Sequence, residues 1–504
     1  MIKKYLNIPN FFLIAILGLA FFLRSTDLSR ESIWFDEGFS IATANQKSIG
    51  ELVRFTAQDT HPPAYYVMLY YWIKLFGDSQ YSARFLSSIL GTIAVFLIFF
   101  AGKLLFNLRT GIFAAFIMAI TRFQIEYSRE IRGYVLMVTL ALLSYCILAK
   151  MEKKKNTGLK IAYIITSAIL LYTHVYAIFI IVAHNIYKII VCLKQNRKGI
   201  AEWIILQFIL IILYLPWFLV IKNQFGIVKK GFWISKPEDW RILETFLHFS
   251  VSPTGLIILV LLSAFVFVGV RKVRSGKDVL YQAELALSDS DKICMLVLWL
   301  LAPVLVPFCL SFFITPIYYY RYALAAAPAF YLLCARGLDN IKIRYIQITA
   351  ISVIIILSYF NLKPYFSEYQ KPRWEDASKY LANNIMKNDI AIFSMGLGKP
   401  FIFDYYCPKI MINADYLPSS SINFLNIERY HISIDDAISL KNKIHGYRGV
   451  WIVLYLNTNP NMIIERTMQY LEYKLIEIKD FSSTRPRELT DTLRIYRFDK
   501  IPNR

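Results

Sequence analysis

The chain is cut into apolar runs of about the length that crosses a bilayer, ~20 residues, joined by short linkers rich in lysine and arginine. That pattern leaves little choice of fold. Backbone polar groups in hydrocarbon have no water to bond, so a spanning segment must satisfy them internally, as a helix does. About eleven runs can be placed, near 9–25, 83–106, 110–124, 132–150, 160–175, 176–193, 202–221, 254–270, 293–314, 321–337 and 345–361. The 160–193 region reads as two short spans around His174. Composition agrees: 57% of the 504 residues are hydrophobic, above the ~45–50% apolar content of soluble chains. The first run has the basic start of a signal peptide. It lacks a small-residue cleavage site and closes on Phe21, Phe22, Leu23 and Arg24, so it reads as an uncleaved first span.

The formal net charge is +21. In a soluble chain that balance would suggest nucleic acid. Here the cations cluster in alternate linkers, at Lys3–Lys4, Arg109, Lys153–Lys155, Lys194–Lys198, Arg271–Lys277 and Arg336–Arg344. Basic linkers stay in the cytoplasm. The N-terminus is then cytoplasmic, and an odd number of spans puts the 26–82 loop and the tail from residue 362 outside. The expected charge partners are membrane lipids and not nucleic acid. Six cysteines show no CxxC pair and no regular spacing, so they indicate neither a zinc site nor a disulfide framework.

Within the outer loop, residues 36–46 and 48–58 carry short apolar faces suited to interfacial helices. Pro62 and Pro63 open a third helix over 64–76. The tail alternates strand-like runs (389–395, 449–456, 474–481, 492–498) with helical patterns (374–386, 434–444, 459–472), as a small α/β domain does. The expected architecture is a polytopic α-helical membrane protein. Residues 1–361 form its transmembrane domain, with the 26–82 loop outside, and residues 362–504 form an extracytoplasmic α/β domain.

Four groups of polar residues stand at the outer ends of these spans. Asp36 and Glu37 follow Trp34 and Phe35 in the first outer loop. An adjacent carboxylate pair suits a helix N-terminus, and it equally supplies a general base, typically worth ~10²–10⁴ in rate. Asp59 and His61 lie in DTHPP, a string that fits a capped turn. His61 suits a phosphate, a metal or an acceptor alike. Glu130, Arg129, Arg132 and Tyr134 lie in SREIRGYVL. The i, i+3 spacing of Arg129 and Arg132 puts both on one helix face, where two guanidiniums can grip a phosphate or pair with Glu126 and Glu130. Arg321 and Tyr322 end a tyrosine run, Tyr318–Tyr320, which fits an interfacial aromatic belt or a lipid-phosphate site. His174 is expected at the outer aqueous side, bordering the site. His184 sits mid-segment as a packing residue. Residues 371–384 read as an amphipathic capping helix, with Arg373, Trp374 and Asp376 overhanging the cavity as the alternative.

At these residues the sequence resembles the GT-C superfamily of membrane glycosyltransferases, and within it bacterial and archaeal members related to protein O-mannosyltransferases and the lipid A aminoarabinose transferase. The matching strings are WFDEGFS (34–40), DTHPPAYYVMLYYWIKLFG (59–77), SARFLSSILG (82–91), SREIRGYVL (128–136), RYALAAAPAFYLL (321–333) and KPRWEDASKYL (371–381). The resemblance implies a GT-C fold and a polyprenyl-phosphate sugar donor. It implies transfer with inversion to a lipid, glycan or protein acceptor at the outer face of the plasma (inner) membrane. It also implies Asp36 as general base with Glu37 beside it, and Asp59, His61, Glu130, Arg132, Tyr134, Arg321 and Tyr322 around the substrates. No DxD motif stands in the outer loops, so the metal-dependent oligosaccharyltransferase pattern is absent. The sequence requires no cofactor and leaves a divalent metal at Asp36, Asp59 and His61 undecided.

The chemistry needs a base on the acceptor side and cations on the phosphate side, because the leaving group is already an anion. Two other classes compete. One is a polyprenyl-linked sugar flippase or transporter, which would carry ionisable groups or broken helices near the midplane. The other is a non-catalytic receptor whose outer tail binds a partner.

Overall fold

A computed structural model describes residues 8–58, 60–194, 199–228, 234–275, 278–285, 289–394, 399–417, 434–455, 462–484 and 492–501. Each of the eleven apolar runs contains a helix, although the run at 254–270 leaves its helix at Ala264 and enters a strand at Val268. In chain order the helices are α1 (Ile8–Ser25), α2 (Phe35–Ala44), α3 (Ile49–Ala57), α4 (Ala64–Phe76), α5 (Gln80–Leu105), α6 (Leu108–Ile120), α7 (Arg122–Tyr127), α8 (Tyr134–Lys153), α9 (Thr157–Leu171), α10 (Ala177–Lys194), α11 (Ile200–Val228), α12 (Arg241–Phe249) and α13 (Pro253–Ala264). A two-stranded hairpin, β1 (Val268–Ser275) and β2 (Asp278–Leu285), precedes α14 (Ser290–Phe313), α15 (Ala327–Asn340) and α16 (Arg344–Ser367). Among the described residues six helices are long and apolar enough to cross a membrane, and a seventh crossing arises if α12 and α13, bent by 85°, form one span. The short outer-loop helices fall where their apolar faces place them.

Helices α5 and α6 pack closely as a hairpin. A Cβ on Gly102 would come within 2.8 Å of the Gly111 Cα, so small residues let the two backbones meet, as membrane helix pairs require. Arg24, fully buried at the end of α1, donates to the carbonyls of Met118 and Ala119 at 3.0 Å each. It thereby caps the C-terminal carbonyls of α6, which a helix leaves without partners. At the opposite end of the bundle Asp339 is fully buried and gathers Asn107 (2.7 Å), Arg109 (3.4 Å), Arg336 (3.2 Å) and Lys342 (3.4 Å). Both ends of the bundle are therefore pinned by charge, and the segments at the Arg24 end are held in fixed relation.

The tail follows α16, which runs to Ser367 and so past residue 361. It comprises α17 (Trp374–Asn384), β3 (Asp389–Phe393), a π-helical turn (Lys399–Phe403), α18 (Asp404–Tyr406), β4 (Asn413–Tyr416), α19 (Ile434–Ile444), β5 (Gly449–Tyr455), α20 (Ile463–Tyr470), β6 (Tyr473–Asp480) and β7 (Leu493–Lys500). The strands make one mixed sheet in the order β4-β3-β5-β7-β6, parallel across β4-β3-β5 and antiparallel across β5-β7-β6. Every residue of β3 and β5 is buried, which explains their continuous apolar sequence. Trp374, Phe401 and Phe403 join the same core as Phe39, Tyr65, Tyr66 and Leu69, so the tail and the 26–82 loop bury their apolar faces together.

Candidate active site

Helix α2 begins at Phe35 and carries Asp36 and Glu37 in its first turn, where the exposed N–H groups favour anions. The two carboxylates then diverge. Glu37 is fully buried. It accepts from Arg84 Nε at 2.8 Å and Nη2 at 2.6 Å, from Lys371 Nζ at 2.9 Å and from the Ile131 N–H at 3.2 Å. Burial by itself would raise its pKa, but Arg84 and then Lys371 outweigh that and hold it at about 2. Arg84 spends its remaining donors on the carbonyls of Leu28, Glu31 and Ser32 at 2.6–2.9 Å. A guanidinium has five N–H donors in a fixed fork, so one buried arginine sets the shape of the whole approach to α2.

Asp36 keeps a side chain that is 19% exposed, and its Oδ2 stands 3.7 Å from Arg132 Nη2. Among the described residues its carboxylate accepts no side-chain or backbone hydrogen bond, so its lone pairs face the space around it. Arg132 is buried, donates to the Tyr66 hydroxyl at 3.2 Å and meets His61 Nε2 at 3.1 Å. A guanidinium only donates, so Nε2 is the acceptor and Nδ1 carries the proton, next to Thr60 Oγ1 at 3.2 Å. The His61 and His174 rings are 5.4 Å apart.

His174 is buried in the turn between α9 and α10 and does not face bulk water, contrary to the expectation from its place at a span end. Its Nδ1 accepts the Tyr176 N–H at 3.1 Å, which puts the ring proton on Nε2. Burial, reinforced by His61, Arg132 and Arg321, holds its pKa well below the usual histidine value, so it is a neutral donor. That Nε2, the Tyr134 hydroxyl and the Trp34 indole N–H are all buried without a hydrogen-bond partner among the described residues. Tyr134 opens α8, with its ring 5.5 Å from His174 and 6.2 Å from Tyr322. Arg321, in the 3₁₀ turn Tyr320–Ala326, lies 4.9 Å from the Tyr319 ring, 5.7 Å from Tyr322 and 5.9 Å from Trp34. An unsatisfied buried polar group costs ~1–3 kcal/mol. Three of them gathered with two arginines beside an accessible carboxylate are what a binding site for an anion and a hydroxyl-bearing partner requires.

Other expectations change. Residues 128–133 are turn, not helix, so Arg129 and Arg132 share no helix face. Arg129 turns away to the carbonyls of Leu23, Thr26 and Asp27 and lies 5.1 Å from the Phe366 ring. It braces the end of α1 and stands apart from Asp36. Glu130 is buried 3.9 Å from Lys371, in the ion-pair layer behind the site. Tyr318 and Tyr322 are buried, with the Tyr318 hydroxyl bonded to Thr245, while Tyr319 and Tyr320 are half-buried. Arg373 and Asp376 pair with each other at 3.6 Å, and Trp374 packs 5.4 Å from Tyr455, as the capping-helix reading expects. His184 is buried and bonds the Tyr163 hydroxyl at 3.2 Å. Asp59 lies outside the described residues. Among those described, no three His, Cys, Asp or Glu side chains gather as a metal would need.

Residues 60–219 match the model of the dolichyl-phosphate-mannose-protein mannosyltransferase family. No curated protein matches the sequence. The structure superposes on ArnT from Cupriavidus metallidurans in the apo state with a TM-score of 0.58 at 11% identity, covering 97% of each chain. It superposes equally on ArnT bound to undecaprenyl phosphate, with a TM-score of 0.59 at 10% identity and the same coverage. The chain has the GT-C fold. The apo oligosaccharyltransferase of Archaeoglobus fulgidus shares it with a TM-score of 0.51 at 12% identity, over 89% of this chain and 70% of that one. The residues gathered here come from the turns between helices (His61, Arg132, His174, Arg321) and from the first turns of α2 (Asp36) and α8 (Tyr134).

Proposed function

We propose that this chain is an inverting glycosyltransferase that moves a hexosyl or pentosyl group from a polyprenyl-phosphate donor to a lipid, glycan or protein acceptor. One observation carries this reading: the Asp36 carboxylate accepts no hydrogen bond among the described residues and lies beside Arg132, near buried N–H and O–H groups that have no partner there. Asp36 removes the proton from the acceptor hydroxyl as it attacks the anomeric carbon. The bond to the phosphate oxygen breaks, and Arg132 and Arg321 stabilise the departing phosphate monoester. His174, Tyr134 and Tyr322 hold its oxygens, and His61, with Asp59 near it in sequence, orients Arg132. Glu37 is a positioning residue, because its carboxylate is filled by Arg84 and Lys371. The family match over residues 60–219 and the likeness to ArnT, solved with undecaprenyl phosphate, support a polyprenyl-linked donor.

In this reading the chain crosses the plasma (inner) membrane an odd number of times, with the N-terminus in the cytoplasm and both the 26–82 loop and the tail outside. The tail begins after α16. The test is to incubate the purified protein and host lipid extract with a panel of polyprenyl-phosphate sugars and assay free polyprenyl phosphate. Release with one donor supports transfer. Movement of the intact donor across liposomes without release supports a flippase instead.

A further inference from the structure

The tail holds the stretch around Asp36 on both sides, at residues 31–35 and at residues 37–39. The N–H groups of Gln370 and Lys371 donate to the two Glu31 carboxylate oxygens at 3.0 and 3.1 Å. The Glu375 N–H donates to Ser32 Oγ at 3.1 Å, and the Ile33 N–H donates to the Tyr406 hydroxyl at 2.6 Å. Phe401 packs on Phe35 and Phe39 with ring centroids 6.1 and 5.9 Å away. A Cβ on Gly38 would come within 2.6 Å of the Phe401 carbonyl oxygen, so only glycine allows this approach. Lys371 Nζ completes the set at 2.9 Å from Glu37 and 5.7 Å from the Trp34 ring. Lys371 is itself buried. Glu37 also accepts the Ile131 N–H, so the same carboxylate joins the tail to the turn that presents Arg132.

We propose that Lys371 is a positioning residue for Asp36, and that docking of the tail onto residues 31–39 is a condition for turnover. This rests on the transferase reading above and assigns the tail a part in the site itself. Without Lys371, Glu37 keeps Arg84 as its one charged partner among the described residues. A buried carboxylate short of a cation draws in water or shifts toward another one. Either response moves the first turn of α2 and with it Asp36. A misplacement of about 1 Å is enough to cost ~10²-fold in rate.

The experiment uses the full chain in nanodiscs and compares wild type, Lys371→Met, Lys371→Arg and Gly38→Ala. It follows polyprenyl-phosphate release and amide exchange over residues 31–45. Lys371→Met is expected to lower kcat at least tenfold with donor KM within twofold, and to speed exchange of the 31–45 amides while the 449–455 strand stays protected. Lys371→Arg is expected to restore most of kcat. Wild-type kcat in Lys371→Met overturns the proposal. So does a lost kcat that Lys371→Arg leaves unrestored while the loop amides stay protected. Gly38→Ala separates tail and loop without altering charge. It carries the same expectation if Lys371→Met does not accumulate, and wild-type turnover in it likewise overturns the proposal. If the wild type releases nothing, the transferase reading itself fails. Unchanged exchange in the variants then rejects the docking role separately.

Discussion

Asp36 and Glu37 are neighbours in one helical turn, yet Glu37 has a fully buried side chain bound by two cations while Asp36 keeps 19% of its side chain exposed. The difference separates two roles that an adjacent acidic pair leaves merged. In the proposed transferase, Asp36 offers its lone pairs to an incoming hydroxyl and Glu37 fixes the turn that presents them.

Replacing Glu37 with glutamine leaves Arg84 and Lys371 buried with their shared anion gone. Breaking a buried ion pair in this way costs ~3–5 kcal/mol. The expected result is a fall of several degrees in the apparent melting temperature in detergent, together with lost turnover. The comparison with Asp36→Asn, which should melt as wild type does, separates the two carboxylates.

Glu37 also sets a pH dependence. Its carboxyl is held at about 2 against an ordinary value of 4.5. On unfolding it takes up a proton whenever the pH lies between those values. The stability it lends is therefore complete above about pH 4.5 and is lost as the pH falls toward about 2. Melting temperatures measured from pH 7 to pH 3 should drop more steeply below pH 4.5 in wild type than in Glu37→Gln.

The proposed function gives His174 the part of a neutral donor, which an amide should replace. His174→Gln is expected to keep most of kcat/KM. His174→Phe removes one hydrogen bond to a charged ligand, worth ~1.5–3 kcal/mol, and should lose about 10- to 100-fold. Because burial keeps the imidazole neutral, the pH profile of kcat/KM between pH 6 and 8 should have the same shape in wild type and His174→Gln.

The arginines divide by position. Arg132→Met and Arg321→Met should each lower kcat/KM by about 10²-fold or more. Arg129→Met strips donors from three carbonyls at the end of α1. It should lower the melting temperature and leave the folded protein's kinetics near wild type.

Much of this fold is legible in the sequence because its strongest signals are local. Apolar length marks the helices of the bundle. Pro62 and Pro63 mark the start of α4. Continuous apolar runs mark β3 and β5, and alternation marks β7. The short edge strand β4, Asn413–Tyr416, has no alternation to read. The paired-arginine reading of Arg129 and Arg132 presupposes a helix, and the chain leaves one at Tyr127 and re-enters the next only at Tyr134. Lys371 and Arg84 belong to the site through contacts across 334 and 47 positions of sequence, where spacing carries no information. A basic residue in a KPRW string looks the same whether it faces water or closes a buried ion pair.

The most direct measurement compares free polyprenyl phosphate released by wild type and by Asp36→Asn from the donor that wild type uses, with both proteins matched in melting temperature. Release by wild type, reduced in Asp36→Asn by the ~10²–10⁴ that a general base supplies, is the predicted result. An Asp36→Asn variant that turns over at the wild-type rate would contradict it.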